Sequence, residues 1–149
     1  IAAMVGQNYG AELFDRVRES IKKSFHILVI IGSISTIVLF AFRYPLFKIF
    51  IPNDRETIEL GTKYLAILSM SQIFLSTEIG LTGAFNGLGE TKIPARIAMF
   101  FDTMRIPLSI LLMPVLGVAG VWMAMTITSI LKGLFVGILI RKKAKYKLG

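Results

Sequence analysis

The sequence contains no cysteine and a single histidine, His26. The first absence excludes a disulfide framework and any cysteine-ligated metal or cluster. The second leaves neither a histidine-rich metal site nor a histidine-based catalytic triad within the chain. Acidic residues are also scarce: nine Asp and Glu stand against seventeen Lys and Arg, for a net charge of +8. A phosphate-binding signature is missing. The segment GAFNGLGETK is superficially similar to a glycine-rich loop, but it lacks the G-x-x-x-x-G-K-[ST] spacing and follows an apolar helix, not a strand. With no nucleophile–base pair or metal constellation in view, an enzyme is not expected, and neither is an ATP-driven mechanism.

What is abundant is hydrocarbon. The 149 residues are 54% hydrophobic, and the mean hydropathy of +0.70 is too high for a water-facing globule. In a soluble protein a charge of +8 would suggest nucleic acid. Here the basic residues gather at the ends of apolar runs, as the positive-inside rule requires, so the partner is a lipid bilayer and no nucleic acid is expected. The opening IAAMV has no charged region ahead of an apolar stretch and is not a signal peptide. It reads as the last turns of a truncated helix, residues 1–10, so the chain is expected to be the C-terminal piece of a longer protein.

Four spans are expected. Gly6 and Gly10 bracket a helix-ending cluster. Residues 11–24 then form a cytoplasmic amphipathic linker, with Leu13, Phe14, Val17 and Ile21 on one face and i,i+4 pairs Glu12–Arg16 and Glu19–Lys23. Such a helix suits the headgroup layer. The first span, 25–42, is ~27 Å long at ~1.5 Å per residue, about one hydrocarbon thickness. His26 sits at its mouth as an interfacial residue. Pro45 and Pro52 are expected to break the helix. Tyr44, Phe47 and Phe50 suit an aromatic belt, and Asn53 with Glu56 resembles a capping box. The second span covers 57–85. The following turn contains Gly83, Gly87 and Gly89, which permit close approach or positive φ, then Thr91 as a cap and Pro94 in an early helical turn. The third span covers 95–114, a short turn is formed around Pro114, Gly117 and Gly120, and the fourth span covers 118–140 with a cytoplasmic tail at 141–149.

Charge supports this layout. Four spans place Arg16, Arg18, Lys22, Lys23, Lys92, Arg96, Arg141, Lys142, Lys143, Lys145 and Lys147 on one side, leaving Arg43, Lys48, Arg55 and Lys63 opposite. The C-terminus is therefore expected in the cytoplasm, in a multi-pass protein of the cell membrane. The fold class is all-α: a polytopic helical bundle with a truncated helix and an interfacial amphipathic helix.

Four charged residues interrupt the spans, each at a cost of at least ~2.5–3.5 kcal/mol on insertion scales. Glu78 lies nine residues before Gly87, roughly 13 Å from the cytoplasmic end. It is the candidate cation-coupling carboxylate, with a structural carboxylate as the alternative. Asp102 and Arg105 share a helix face and are expected to pair, either to orient the third span or as a cavity-lining, gating ion pair. Pro107 removes an amide donor beside them and is a candidate kink. Lys132 is expected to snorkel toward the headgroups. Polar residues such as Thr36, Ser69, Ser71 and Thr126 are expected to hydrogen-bond between helices. Gln72 is either one of these or a substrate-lining residue.

VGQNYGA, the Arg/Lys-rich linker, GAFNGLGETKIP, RIPLSILL and LGVAGVW occur in that order. Together they resemble the C-terminal part of a multidrug and toxic compound extrusion (MATE) transporter, within the wider flippase superfamily. The resemblance covers essentially the whole chain. It implies a twelve-helix protein of two six-helix lobes, of which this chain supplies the end of helix eight and helices nine to twelve. It also implies export of amphipathic, cationic small molecules in exchange for Na⁺ or H⁺ as coupling ion, with no other cofactor. Some members carry a coupling acid on helix ten, which the Glu78 span resembles. The N-terminal lobe and helix seven, which carry other coupling carboxylates, lie outside this chain. The alternatives are a lipid-linked oligosaccharide flippase of the same superfamily and a non-transporting membrane subunit.

Overall fold

A computed structural model describes residues 1–146, with side chains described through Ala144. The tail charge Lys147 and the side chain of Lys145 lie outside the described residues. The described residues form six helices: α1 Ala2–Gly10, α2 Phe14–Phe50, α3 Arg55–Ser69, α4 Gln72–Gly87, α5 Lys92–Leu116 and α6 Val118–Tyr146. Helices α2, α5 and α6 are each long and apolar enough to cross a membrane. α3 and α4, bent by 54° at a short break, make a fourth crossing when taken as one broken span.

The amphipathic stretch is not a separate element. It forms the first turns of α2, a continuous helix of 37 residues. At ~1.5 Å per residue such a helix is ~56 Å long and overshoots a ~30 Å hydrocarbon layer. Nothing between residues 14 and 25 breaks the helix. Val17 and Ile21 bury their side of the helix against Val5, Leu81 and Phe85, while Leu13 and Phe14 stay exposed. Its ion pairs, Arg18–Asp15 at 2.7 Å and Lys23–Glu19 at 2.7 Å, stay on the wet side. Pro45 does not break α2 either. The helix runs through it to Phe50, and the Arg43 guanidinium donates to the Phe40 carbonyl in the preceding turn. Pro52, beyond the helix end, does mark the turn.

Asp54, not Asn53, caps α3. Its carboxylate accepts from the Thr57 amide at 3.0 Å and the Thr57 hydroxyl at 2.6 Å. These two bonds hold the Asp54 carboxyl below its ordinary range. At the other end of the bundle, Thr91 precedes α5 without a side-chain cap, while Pro94 sits in its first turn as expected. Pro114, expected at a turn, is inside α5. The helix ends at Gly117, whose φ of +59° is one that glycine adopts without strain.

α4 is the centre of the packing. It touches α1, α2 and α6, whereas α5 leans on α6 and scarcely meets α4. The buried core, including Val5, Val17, Leu81, Phe85, Val136 and Ile140, occupies the end of the bundle where α2 starts and α6 finishes. That is also the basic end. Arg18 donates to the Ala144 carbonyl, Arg141 lies 4.3 Å over the Phe25 ring, and Lys143 pairs with Glu90.

Candidate functional site

The break between α3 and α4 was not foreseen by reading 57–85 as one span. It involves neither glycine nor proline. Ser69 donates to the Ala66 carbonyl at 2.8 Å, and Ser71 donates to Leu68 at 2.9 Å. Gln72 also reaches Leu68, at 3.3 Å. From outside, Thr36 of α2 donates to the Ser69 carbonyl at 3.1 Å and Thr126 of α6 to Ile67 at 3.2 Å. Irregular backbone survives at membrane depth only when its polar groups find such partners. α2 presses directly on the break: a Cβ at Gly32 would lie 2.6 Å from the Ile73 Cα. Gln72, considered as a substrate contact, is placed in this hinge by its bond to Leu68.

Below the break, α4 and α6 come closest at Gly133. A Cβ there would lie 2.5 Å from the Phe74 carbonyl oxygen. This contact brings Lys132 against Glu78, one turn below Phe74. The Lys132 Nζ is 3.4 Å from Glu78 Oε1 and 3.1 Å from Asp102 Oδ1. Lys132 is 8% exposed and lies midway along α6, so the expectation that it snorkels to the headgroups is wrong. Two carboxylates within reach outcompete a distant interface for an ammonium in a low-dielectric setting.

Asp102 and Arg105 pair as expected, at 3.2 Å. The guanidinium also donates to the Thr128 hydroxyl at 3.2 Å, which fixes α5 to α6. Glu78, Lys132, Asp102 and Arg105 therefore form one chain of charges across α4, α6 and α5, with formal charges that cancel. A closed set of this kind lowers the cost of burying Glu78 and Lys132, while Asp102 stays partly exposed. One atom stands out: Glu78 Oε2 is buried and has no hydrogen-bond partner. Such an orphaned oxygen can accept a proton or contribute to a cation site. Among the described residues no group of three or more His, Cys, Asp or Glu side chains is placed to hold a metal ion.

The remaining marked residues divide cleanly. Gly6 and Gly87 form the α1–α4 crossing, where a Cβ at Gly87 would lie 2.5 Å from the Ala2 carbonyl oxygen. Gly120 serves the α5–α6 turn, with Leu112 backbone 2.6 Å from its absent Cβ. Gly89, φ +73°, supplies the turn before α5. Gly83 and Gly10 have ordinary room and need no special explanation. Pro107 is within α5, and the neighbouring Ser109 donates back to the Arg105 carbonyl at 2.7 Å. His26 is exposed, with Nδ1 2.7 Å from the Lys22 carbonyl, consistent with an interfacial place. A cavity of about 650 Å³ opens at the basic end between Arg18, Lys22, His26 and Arg141, apart from the charge chain.

Comparison with known proteins gives the family. Residues 1–111 match the MatE family. The chain is 28% identical over 129 residues to a protein of Thermotoga maritima named probable multidrug resistance protein NorM, covering 84% of this chain and 27% of that protein. It is 25% identical over 146 residues to a protein of the same name from Pasteurella multocida, covering 93% of this chain and 31% of that one. The chain thus spans less than a third of the length of these relatives. With a matched region covering most of its length, and with helices long and apolar enough to cross a bilayer, the chain belongs to the MatE family.

Proposed function

We propose that this chain is part of a secondary active efflux antiporter in the cell membrane, its C-terminus cytoplasmic, that exports amphipathic cationic compounds in exchange for Na⁺ or H⁺. The rest of the transporter, including a second lobe facing these helices, completes the substrate path. Glu78 is the coupling carboxylate. Asp102 and Arg105 form an ion pair that lines and gates the path, and Gln72 is at the hinge near it. Coupling requires only that the ion and the substrate favour different states of the same element.

The observation that carries this reading is the intramembrane carboxylate with one oxygen on Lys132 and the other buried without a partner. Lys132 and Arg105, the cations beside Glu78, are engaged by carboxylates. That favours a carrier of cationic compounds over a flippase of anionic glycolipids, which would need basic groups free for its cargo. The test is Glu78→Gln in the complete transporter, reconstituted in liposomes with ethidium as the exported probe. The expected result is loss of gradient-driven export with the protein still folded. Wild-type export with unchanged ion dependence would remove Glu78 from the mechanism.

A further inference from the structure

The two oxygens of Glu78 have different surroundings. Oε1 faces the Lys132 ammonium at 3.4 Å, while Oε2 is buried and accepts no hydrogen bond. The same ammonium is 3.1 Å from Asp102 Oδ1. The charged groups that act on Glu78 are Lys132 from α6 and Asp102 and Arg105 from α5. α1 and α2 also pack on α4, and α2 brings Arg18, Lys22 and His26 to the cavity beside Leu81, but the charged groups acting on Glu78 come from α5 and α6. A tethered ammonium therefore occupies the seat, between two carboxylates, that a free monovalent cation would take.

Resting on the reading of Glu78 as the coupling acid, we propose that Lys132 is the specificity-determining residue that makes the proton, and not sodium, the coupling ion. Sodium needs a shell of several oxygens. To sit between Glu78 and Asp102 it must displace a charge of its own sign and strand that ammonium in the bundle, where an unpaired charge is costly. A proton needs one lone pair, and Oε2 has one. The step balances simply: hydronium gives up a proton to Oε2, one O–H bond breaks as another forms, water is left, and Glu78 becomes neutral. Lys132 stays with Asp102, and the charge chain changes from neutral to singly positive. Deprotonation to water on the other side reverses it. Neutral Glu78 loses its ion pair to α6, whereas α5 keeps its tie through Asp102 and Arg105. With that charge tie gone, packing alone holds α4, movement about the break at residues 70–71 is favoured, and the ion gradient acts there.

The test uses the complete transporter in liposomes with ethidium, driven separately by a pH gradient at equal Na⁺ and by a Na⁺ gradient at equal pH. Wild type is expected to export several-fold faster with the pH gradient and to ignore the Na⁺ gradient. Lys132→Met, which empties the seat, is expected to lose the pH response and gain a Na⁺ response. Lys132→Arg, which keeps a cation there, is expected to remain indifferent to Na⁺. A wild type driven by the Na⁺ gradient overturns the proposal while leaving coupled export intact, and this outcome does not depend on any variant folding. Lys132→Arg responding to Na⁺ as Lys132→Met does also overturns it. Export indifferent to both gradients sinks the coupling reading itself.

Discussion

Replacing Gly133 with alanine should disturb the charge chain without touching a charged residue. The new Cβ would lie 2.5 Å from the Phe74 carbonyl oxygen and 2.9 Å from its carbonyl carbon, both backbone atoms that cannot swing aside. Restoring an ordinary contact of 3.4 Å requires α6 to retreat from α4 by about 0.9 Å. Lys132 is the neighbouring residue, so its 3.4 Å approach to Glu78 would stretch to roughly 4 Å and lose direct contact. Overpacking of this kind costs about 1–3 kcal/mol. Gly137, one turn further along α6, is an internal control: the nearest atom to its Cβ would be Leu81 Cδ1 at 3.9 Å, an ordinary distance. Both alanine variants gain the same helix propensity, so the difference between them isolates the crossing. The assay is thermal unfolding of the complete transporter in detergent, paired with gradient-driven ethidium export. Gly133→Ala is expected to unfold several degrees below Gly137→Ala and to export more slowly. Equal stability and equal export in the two variants would refute the argument that close approach at Gly133 sets the Glu78–Lys132 contact.

Two further outcomes follow from the packing. Thr36→Val and Thr126→Val each strip a hydroxyl from a carbonyl at the α3–α4 break and should each cost about 0.6 kcal/mol on the average for membrane hydrogen bonds; a chemical-denaturation series in mixed micelles that shows no loss for either would mean the break is held otherwise. Gly87→Ala should loosen the α1–α4 crossing and lower the unfolding temperature, because its Cβ would lie 2.5 Å from the Ala2 carbonyl oxygen, while Gly83→Ala, with 3.7 Å of room, should not; parallel melting curves that coincide would contradict this.

The parts of the fold governed by short-range rules were legible in the residues. Apolar run length gave the crossings, the Asp102–Arg105 pair followed from i,i+3 spacing, and Glu78 was conspicuous as an acid in an apolar helix. What depends on how helices cross was not legible. Lys132 reaches Glu78 because Gly133 allows α6 against Phe74, and no pattern in α6 alone announces that neighbour. The break at Met70–Ser71 escaped because Ser69, Ser71 and Gln72 are the same residues that hydrogen-bond between intact helices; only the bond directions separate the two cases. The cap of α3 shifted by one position because Asn53 and Asp54 are both good caps, and helix ends are read from sequence only to within a residue or two. The continuity of α2 was hidden for a related reason. Its first turns look interfacial when isolated, yet α1 and α4 cover their apolar face.

Proton counting tests the central claim most directly. Ethidium added to the complete transporter in weakly buffered detergent should release protons from the wild type, because a substrate that favours the state with Glu78 ionised must drive its proton off. Glu78→Gln, binding the same probe, should release none. Proton release of the same size from the wild type and from Glu78→Gln would place the coupling elsewhere and contradict the account.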